Sequence, residues 1–365
     1  MTMQFVYSRQ DFVTDVRRRS ENCPEMVPPS TRFDTTIRDG WTDRRDRGLF
    51  RYYLGDLETR ILPGSCGYVA QLNIQRGKER RKPQEILNIK QEFIPSQFNF
   101  NKINLDEIIF EMIKTTDGGL ELSDGQVPQS CGTVVLINVS PLEFGHCLFV
   151  PDPSRCFPQI LTRAAIQVGI ESVLLSSDPS LRAGFNSLGA FASVNHLHLH
   201  GYYLDYELKI ESSPVKPLVP EKRFYRMQDF PTGFLFYTES EEVEEVARSI
   251  CQVTDFLVGE NIAHNLFLTR GCPPCDHIQS TKDCCLRSGV RIAIWPRKAC
   301  FGAKVETDIS VALCELGGHL PFKSKKDYEC ATEEDVMDIV QSYLLPDDEF
   351  HRLEQQISNH LKKEK

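Results

Sequence analysis

The hydrophobic pattern is clearest in the middle of the chain. Thr133-Val-Val-Leu-Ile-Asn-Val139 is a near-continuous apolar run, the signature of a strand covered on both faces. Ser140 to Gly145 interrupts it and His146-Cys-Leu-Phe-Val150 resumes it, so the two segments predict a hairpin that Pro151-Asp-Pro153 ends. From Gln159 to Leu175, apolar residues at Ile160, Leu161, Ala164, Val168 and Leu175 predict an amphipathic helix. Ala183 to Gly189 is small and turn-prone, and Ser193 to Leu204 is the clearest predicted strand. Upstream, Cys66 to Asn73 alternates enough for a strand. Downstream, Gly233 to Tyr237 predicts a strand, and Thr238-Glu-Ser-Glu241 has the form of a capping box. That box would open a helix with Val243, Val246, Ala247, Ile250, Val253 and Leu257 on one face. His264 to Leu268 and Gly289 to Trp295 predict further strands, and two helices are expected on either side of Pro346.

A strand–strand–helix–strand order therefore precedes a Pro- and Ser-containing connector at 210–222, and similar elements follow it. The expected class is α+β with mainly antiparallel sheet. Residues 1–43, rich in Arg, Pro and polar side chains, are expected to form a flexible arm. The expected halves are 44–209 and 223–365; no residue-level repeat links them, so duplication rests on element order alone. Composition narrows the function. A net charge of −9 argues against wrapping DNA, which needs a basic face, but leaves room for a nucleotide site built from a few local donors. Met1 to Asp15 has no continuous apolar core of a signal peptide, and no apolar run approaches a membrane span. Thirteen cysteines then read as reduced thiols, and the expected compartment is the cytosol, without membrane or nucleic-acid partners. The basic segment Arg76 to Lys82 reads as a solvated turn, with phosphate steering as the minority alternative.

The chemistry centres on Asn195-His-Leu-His-Leu-His-Gly201. On a strand, His196, His198 and His200 would share one face, with Leu197 and Leu199 on the other. Each imidazole carries a donor and an acceptor that need partners, so three on one face are hard to assign to packing. Metal ligation is one use, but no nearby carboxylate completes such a site. Nucleophilic attack on phosphorus is the better fit: one imidazole takes the phosphoryl group and its neighbours orient it and offset charge. Asn186, Ser187 and Ser193 supply small, donor-rich positions nearby. Cys272-Pro-Pro-Cys275, with His277, Cys284 and Cys285, has a spacing that could hold zinc, although a Cys-rich loop is the default reading.

The string HLHLH resembles the histidine-triad motif, in which the middle histidine is the nucleophile, here His198, flanked by His196 and His200. By that resemblance Asn138 falls where a ribose contact lies, His146 on a fourth histidine, and Ser193 on a serine that donates to phosphate. A longer match runs from about Gly48 to His319. Gly48-Leu-Phe-Arg-Tyr, Gly67-Tyr-Val-Ala-Gln-Leu-Asn73, Phe98-Asn-Phe-Asn-Lys102, Gly184-Phe-Asn-Ser-Leu-Gly189, Ser193-Val-Asn-His-Leu-His198, Trp295-Pro-Arg-Lys298 and Glu315-Leu-Gly-Gly-His319 resemble the animal GDP-D-glucose phosphorylases, relatives of the plant GDP-L-galactose phosphorylases. The resemblance implies a histidine-triad-like fold of two halves forming an intramolecular pseudodimer, alone or paired as a homodimer. It implies GDP-hexose and inorganic phosphate as substrates and a guanylyl-histidine intermediate, with no cofactor and no essential metal. Asn73, Asn99, Asn101 and Asn195 are further candidates for base, ribose or sugar contacts. His264, Asn265, Glu315 and His319 would either reach the nucleotide pocket from the second half or bond structurally. At the third position His200 departs from the Gln common in nucleotidyltransferases and matches hydrolytic members. The triad alone would favour water as acceptor, whereas the longer match favours phosphate. The rival readings are therefore a GDP-sugar or nucleotide hydrolase and a non-catalytic guanine-nucleotide-binding protein.

Overall fold

The structure is a computed structural model and describes residues 2–14, 16, 29–81, 83–115, 132–275, 286–302 and 309–363. Its centre is an eleven-stranded sheet. The strands, in chain order, are β1 (Gln4–Tyr7), β4 (Ile108–Lys114), β5 (Thr133–Ile137), β6 (Cys147–Pro151), β7 (Leu181–Asn186), β8 (Leu199–Tyr203), β9 (Val215–Val219), β10 (Phe224–Met227), β11 (Phe234–Thr238), β12 (Ala263–Gly271) and β13 (Gly289–Arg297). Their spatial order is β1-β4-β5-β6-β8-β7-β12-β13-β11-β10-β9. Every pair is antiparallel except β1 with β4. A second sheet of three strands, β2 (Glu58–Ile61), β3 (Val69–Leu72) and β14 (His319–Phe322), covers part of one face.

The order reads alike outward from the β7–β12 pair. On one side β8, β6, β5 and β4 follow β7, with α3 (Arg163–Leu175) leading into β7. On the other, β13, β11, β10 and β9 follow β12, with α4 (Val243–Gly259) leading into β12. The two helices pack together on one face of the sheet. There Ile166, Ile170 and Val173 of α3 meet Val246, Ile250 and Val253 of α4 in the main core. A second core beneath the small sheet gathers Tyr202, Phe267, Trp295 and Leu313. At the seam, Gly184 of β7 faces Phe267 of β12, and a Cβ at Gly184 would fall 2.5 Å from the Leu266 carbonyl oxygen. That close approach is why a glycine stands there.

Several expectations change. The stretch assigned to a flexible arm contains β1 and the helix α1 (Arg32–Asp46), capped by the Thr31 hydroxyl, which accepts from the Asp34 amide. Phe33, Ile37 and Trp41, four residues apart, bury one stripe of α1 in the main core despite its charged composition. Ala183 to Gly189 is largely strand, because Leu181, Ala183 and Phe185 pack into the core from β7. The expected connector holds the edge strand β9. The expected capping box is absent: Thr238 ends β11 and donates to the Glu239 carbonyl, and α4 starts at Val243, although its apolar stripe is as expected. Helix α3 begins only at Arg163, after the Thr162 cap, because Gln159 is drawn into the site instead. Ser193 to His198 is not strand. Its amides bond to side chains and loop carbonyls, with Asn195 donating to Gln84 Oε1, Leu197 to the Phe157 carbonyl and His198 to Gln159 Oε1. The ladder starts at Leu199, where β8 pairs with β6 and β7.

Candidate active site

A cavity opens beside the start of β8, lined by His198, His200, Asn138, Asn186, Ser193 and side chains from both halves. The His198 backbone is clamped by Gln159, whose Oε1 accepts from the His198 amide at 2.9 Å while its Nε2 donates to the His198 and Asn186 carbonyls. His198 Nδ1 lies 2.7 Å from the His196 carbonyl oxygen, which cannot donate, so the ring hydrogen resides on Nδ1. Nε2 is left with its lone pair free. Burial lowers the imidazole pKa to about 4, against the opposing pull of that carbonyl, so the ring is neutral at pH 7.

The neighbouring tautomers follow the same way. His146 is fully buried, and its Nδ1 accepts from the Leu142 amide at 2.8 Å. Its ring hydrogen therefore sits on Nε2, 3.1 Å from His200 Nδ1. The Asn138 amide nitrogen, 3.3 Å from the same atom, is itself a donor and is the poorer partner. His200 accepts at Nδ1, so in its neutral form it carries hydrogen on Nε2. The relay from Leu142 through His146 thus makes His200 a donor beside His198, their rings 5.1 Å apart. His196 has a different place. Its Nδ1 accepts from the Phe100 amide, its ring stacks on Phe100, and it does not line the cavity.

The other expected site residues divide sharply. Asn138 and Ser193 line the cavity, and Asn138 Oδ1 accepts from the Ser140 amide. Asn186 lines it too, with Oδ1 held by Asn265 Nδ2 at 2.6 Å and by the Leu313 amide at 3.0 Å, which leaves its amide hydrogens directed elsewhere. Asn265 in turn accepts from Arg297. Asn73, Asn99, Asn101, Asn195 and Ser187 do not line the cavity. Asn73 caps the helix α2 (Ile74–Glu79) and donates to the Pro141 and Leu142 carbonyls. Asn99 caps the turn Phe100–Lys102, and Asn101 donates to the Pro153 carbonyl. Asn195 bonds Gln159, Gln91 and Glu92, and Ser187 accepts from the His264 amide. His264 packs on Phe185, His319 bridges Gln71 and Tyr202, and neither lines the cavity. Cys272 accepts from Arg287, whereas His277, Cys284 and Cys285 lie outside the described residues.

Residues not singled out by the triad complete the walls. Arg76, Arg80 and Arg81 come from the segment read as a solvated turn, and Lys323, Ser310, Cys314 and Glu315 come from the second half. Glu315 lies in the first turn of the short helix Leu313–Gly317, accepts from the Ala312 amide and Cys314 Sγ, and is pushed above the usual carboxylate range by burial. Arg76 donates to the Ser140 carbonyl. A cluster of cations against two carboxylates makes this cavity locally positive in a chain whose net charge is −9.

Two family models match the chain: GDPGP1-like, N-terminal domain, over residues 32–202, and GDPGP1-like, C-terminal domain, over residues 209–364. GDP-D-glucose phosphorylase 1 of Danio rerio is 59% identical over 97% of this chain and 97% of its own. The Homo sapiens protein of the same name is 45% identical over 94% of this chain and 88% of its own. GDP-L-galactose phosphorylase 1 of Arabidopsis thaliana is more distant, 29% identical over 89% of this chain and 73% of its own. Among solved structures, yeast Ap4A phosphorylase Apa2 in complex with Ap4A shares the fold, with a TM-score of 0.56 at 13% identity, covering 87% of this chain and 98% of that one. With both family models matched and relatives aligned nearly end to end, the chain belongs to the GDPGP1-like family, that of the GDP-D-glucose phosphorylases it resembles.

Proposed function

We propose that this chain is a GDP-D-glucose phosphorylase that converts GDP-glucose and phosphate into glucose 1-phosphate and GDP through a guanylylated His198. The observation that carries the chemistry is the neutral His198 ring with Nδ1 tied to the His196 carbonyl and Nε2 free. Nε2 attacks the α-phosphorus; an N–P bond forms, and the bond from phosphorus to the bridging oxygen breaks. Glucose 1-phosphate leaves with that electron pair. The imidazolium so formed keeps its proton on Nδ1, where the carbonyl stabilises it. His200 Nε2–H, Ser193 and the Asn186 amide are the donors for the phosphoryl oxygens. Inorganic phosphate then attacks from the vacated side, restores the neutral ring and releases GDP.

Both the leaving β-phosphate and the entering phosphate occupy the same side of phosphorus. Arg76 and Lys323, at the polar end of the cavity, are the groups we assign to hold them in turn. His200 gives a hydrolytic reading its one foothold, and release of GMP, the product of water attacking the guanylylated histidine, at a rate independent of phosphate would favour it. The mirrored strand order about β7 and β12 supports an intramolecular pseudodimer acting as a monomer. The described cysteines are free thiols, which fits a cytosolic setting.

The test is to incubate the protein with GDP-glucose labelled in the guanosine and to quench. The wild type should carry an acid-labile, base-stable label that phosphate discharges as GDP. His198→Ala should carry none, and full turnover by that variant would refute the assignment.

A further inference from the structure

The cavity has two unlike ends. At one, Phe98, Phe100, Ile103, Leu136, Leu148 and Val194 form an apolar slot with its own small core. At the other lie Arg76, Lys323, Ser310 and Glu315. With His198 at the α-phosphorus, the planar base fits the slot, and the β-phosphate and hexose fit the polar end. One half-buried carboxylate also lines the cavity near the slot. Glu107 lies in the turn Leu105–Glu107 and lines the cavity beside Arg81, whose guanidinium rests on the Phe98 ring with its carbon 3.3 Å from the centroid. One Glu107 oxygen accepts from the Asn104 amide at 3.3 Å. The other accepts no hydrogen bond from the described residues.

We infer that Glu107 is the specificity-determining residue for the base and selects guanine by accepting from its N1–H and 2-amino group. A partly buried carboxylate with one oxygen unused by the described residues is an acceptor available to a ligand donor. Guanine presents two adjacent donors on one edge, a match for two acceptor oxygens. Adenine turns an unprotonated ring nitrogen toward the same place, and uracil sets a single N–H between two carbonyls; each puts lone pairs against the carboxylate. Burial raises the Glu107 pKa, and the Asn104 amide and the Arg81 and Arg51 charges oppose that rise. The inference takes the nucleotide site from the proposed activity and adds the group that reads the base.

Binding tests this independently of sugar, acceptor and turnover. GDP and IDP differ only by the 2-amino group, so calorimetry with both nucleotides isolates that contact. Wild type should bind GDP about tenfold or more tightly than IDP, since a site built to pair a donor rejects the analogue lacking it. Glu107→Gln keeps an oxygen for the Asn104 amide, and Glu107→Ala removes both. Both variants should bring the two affinities within about threefold, chiefly by weakening GDP. An unchanged GDP-to-IDP ratio in both variants, including one in which both affinities fall together, would overturn the inference and leave Glu107 as a turn cap.

Discussion

At the scale of the residue, hydrogen positions in the candidate site are imposed by backbone groups. The His196 carbonyl fixes the His198 tautomer, and the Leu142 amide fixes that of His146 and so of His200. A pH dependence follows. Burial lowers the His198 pKa to about 4, so the neutral ring that the proposed attack requires prevails above that value and is lost as pH falls through it. Guanylylation in rapid-quench single turnovers, after a brief pH jump, should stay flat from pH 8 to about 5.5 and reach half its value near 4. A midpoint near 6.5, the ordinary imidazole value, would contradict the burial of His198. Alternation pointed to His198 and His200, which do meet at the cavity, but the shared strand face did not form: Ser193 to His198 is loop, and His196 packs on Phe100 instead. Asn73, Asn99, Asn101 and Asn195 were not separable from ligand contacts, because an amide that caps a turn and one that meets a nucleotide look the same in a sequence. Arg76 and Arg81 were discounted because a charge run carries no record of which wall it will face.

At the scale of the element, α1 shows what composition conceals. Its charged surface hides Phe33, Ile37 and Trp41, and those residues brace the site from behind. Trp41 packs on Phe144, ring centroids 5.0 Å apart, in the loop between β5 and β6 that carries His146. Asp34 accepts from the Tyr203 hydroxyl at the end of β8. Trp41→Ala should therefore cost about 3–5 kcal/mol in urea unfolding, as buried Trp truncations do. A loss under about 1 kcal/mol would show that α1 is dispensable. The strands of the hairpin and of the second half were legible because apolar runs with clear breaks leave few alternatives. β7 was missed because Gly184 and Asn186 read as turn residues, yet one answers to a close approach and the other to the cavity.

At the scale of the whole molecule, the strand order is mirrored about β7 and β12, while the residues on the two sides differ. The expected division into halves follows from element order, while the seam between them depends on β7 pairing with β12, a long-range contact that no local pattern encodes. β13 occupies the place in the second lobe that β8 occupies in the first, and its residues, Gly289 to Arg297, include no histidine. The second lobe contributes Asn265, which orients Asn186, and the wall residues Ser310, Glu315 and Lys323. A mirrored strand order therefore need not mean twofold reactivity: on the proposed mechanism, His198 is the one described residue assigned to store a guanylyl group. Without phosphate, a mixing experiment should release a burst of one glucose 1-phosphate per chain and then stall, and a burst of two equivalents would contradict storage on His198 alone.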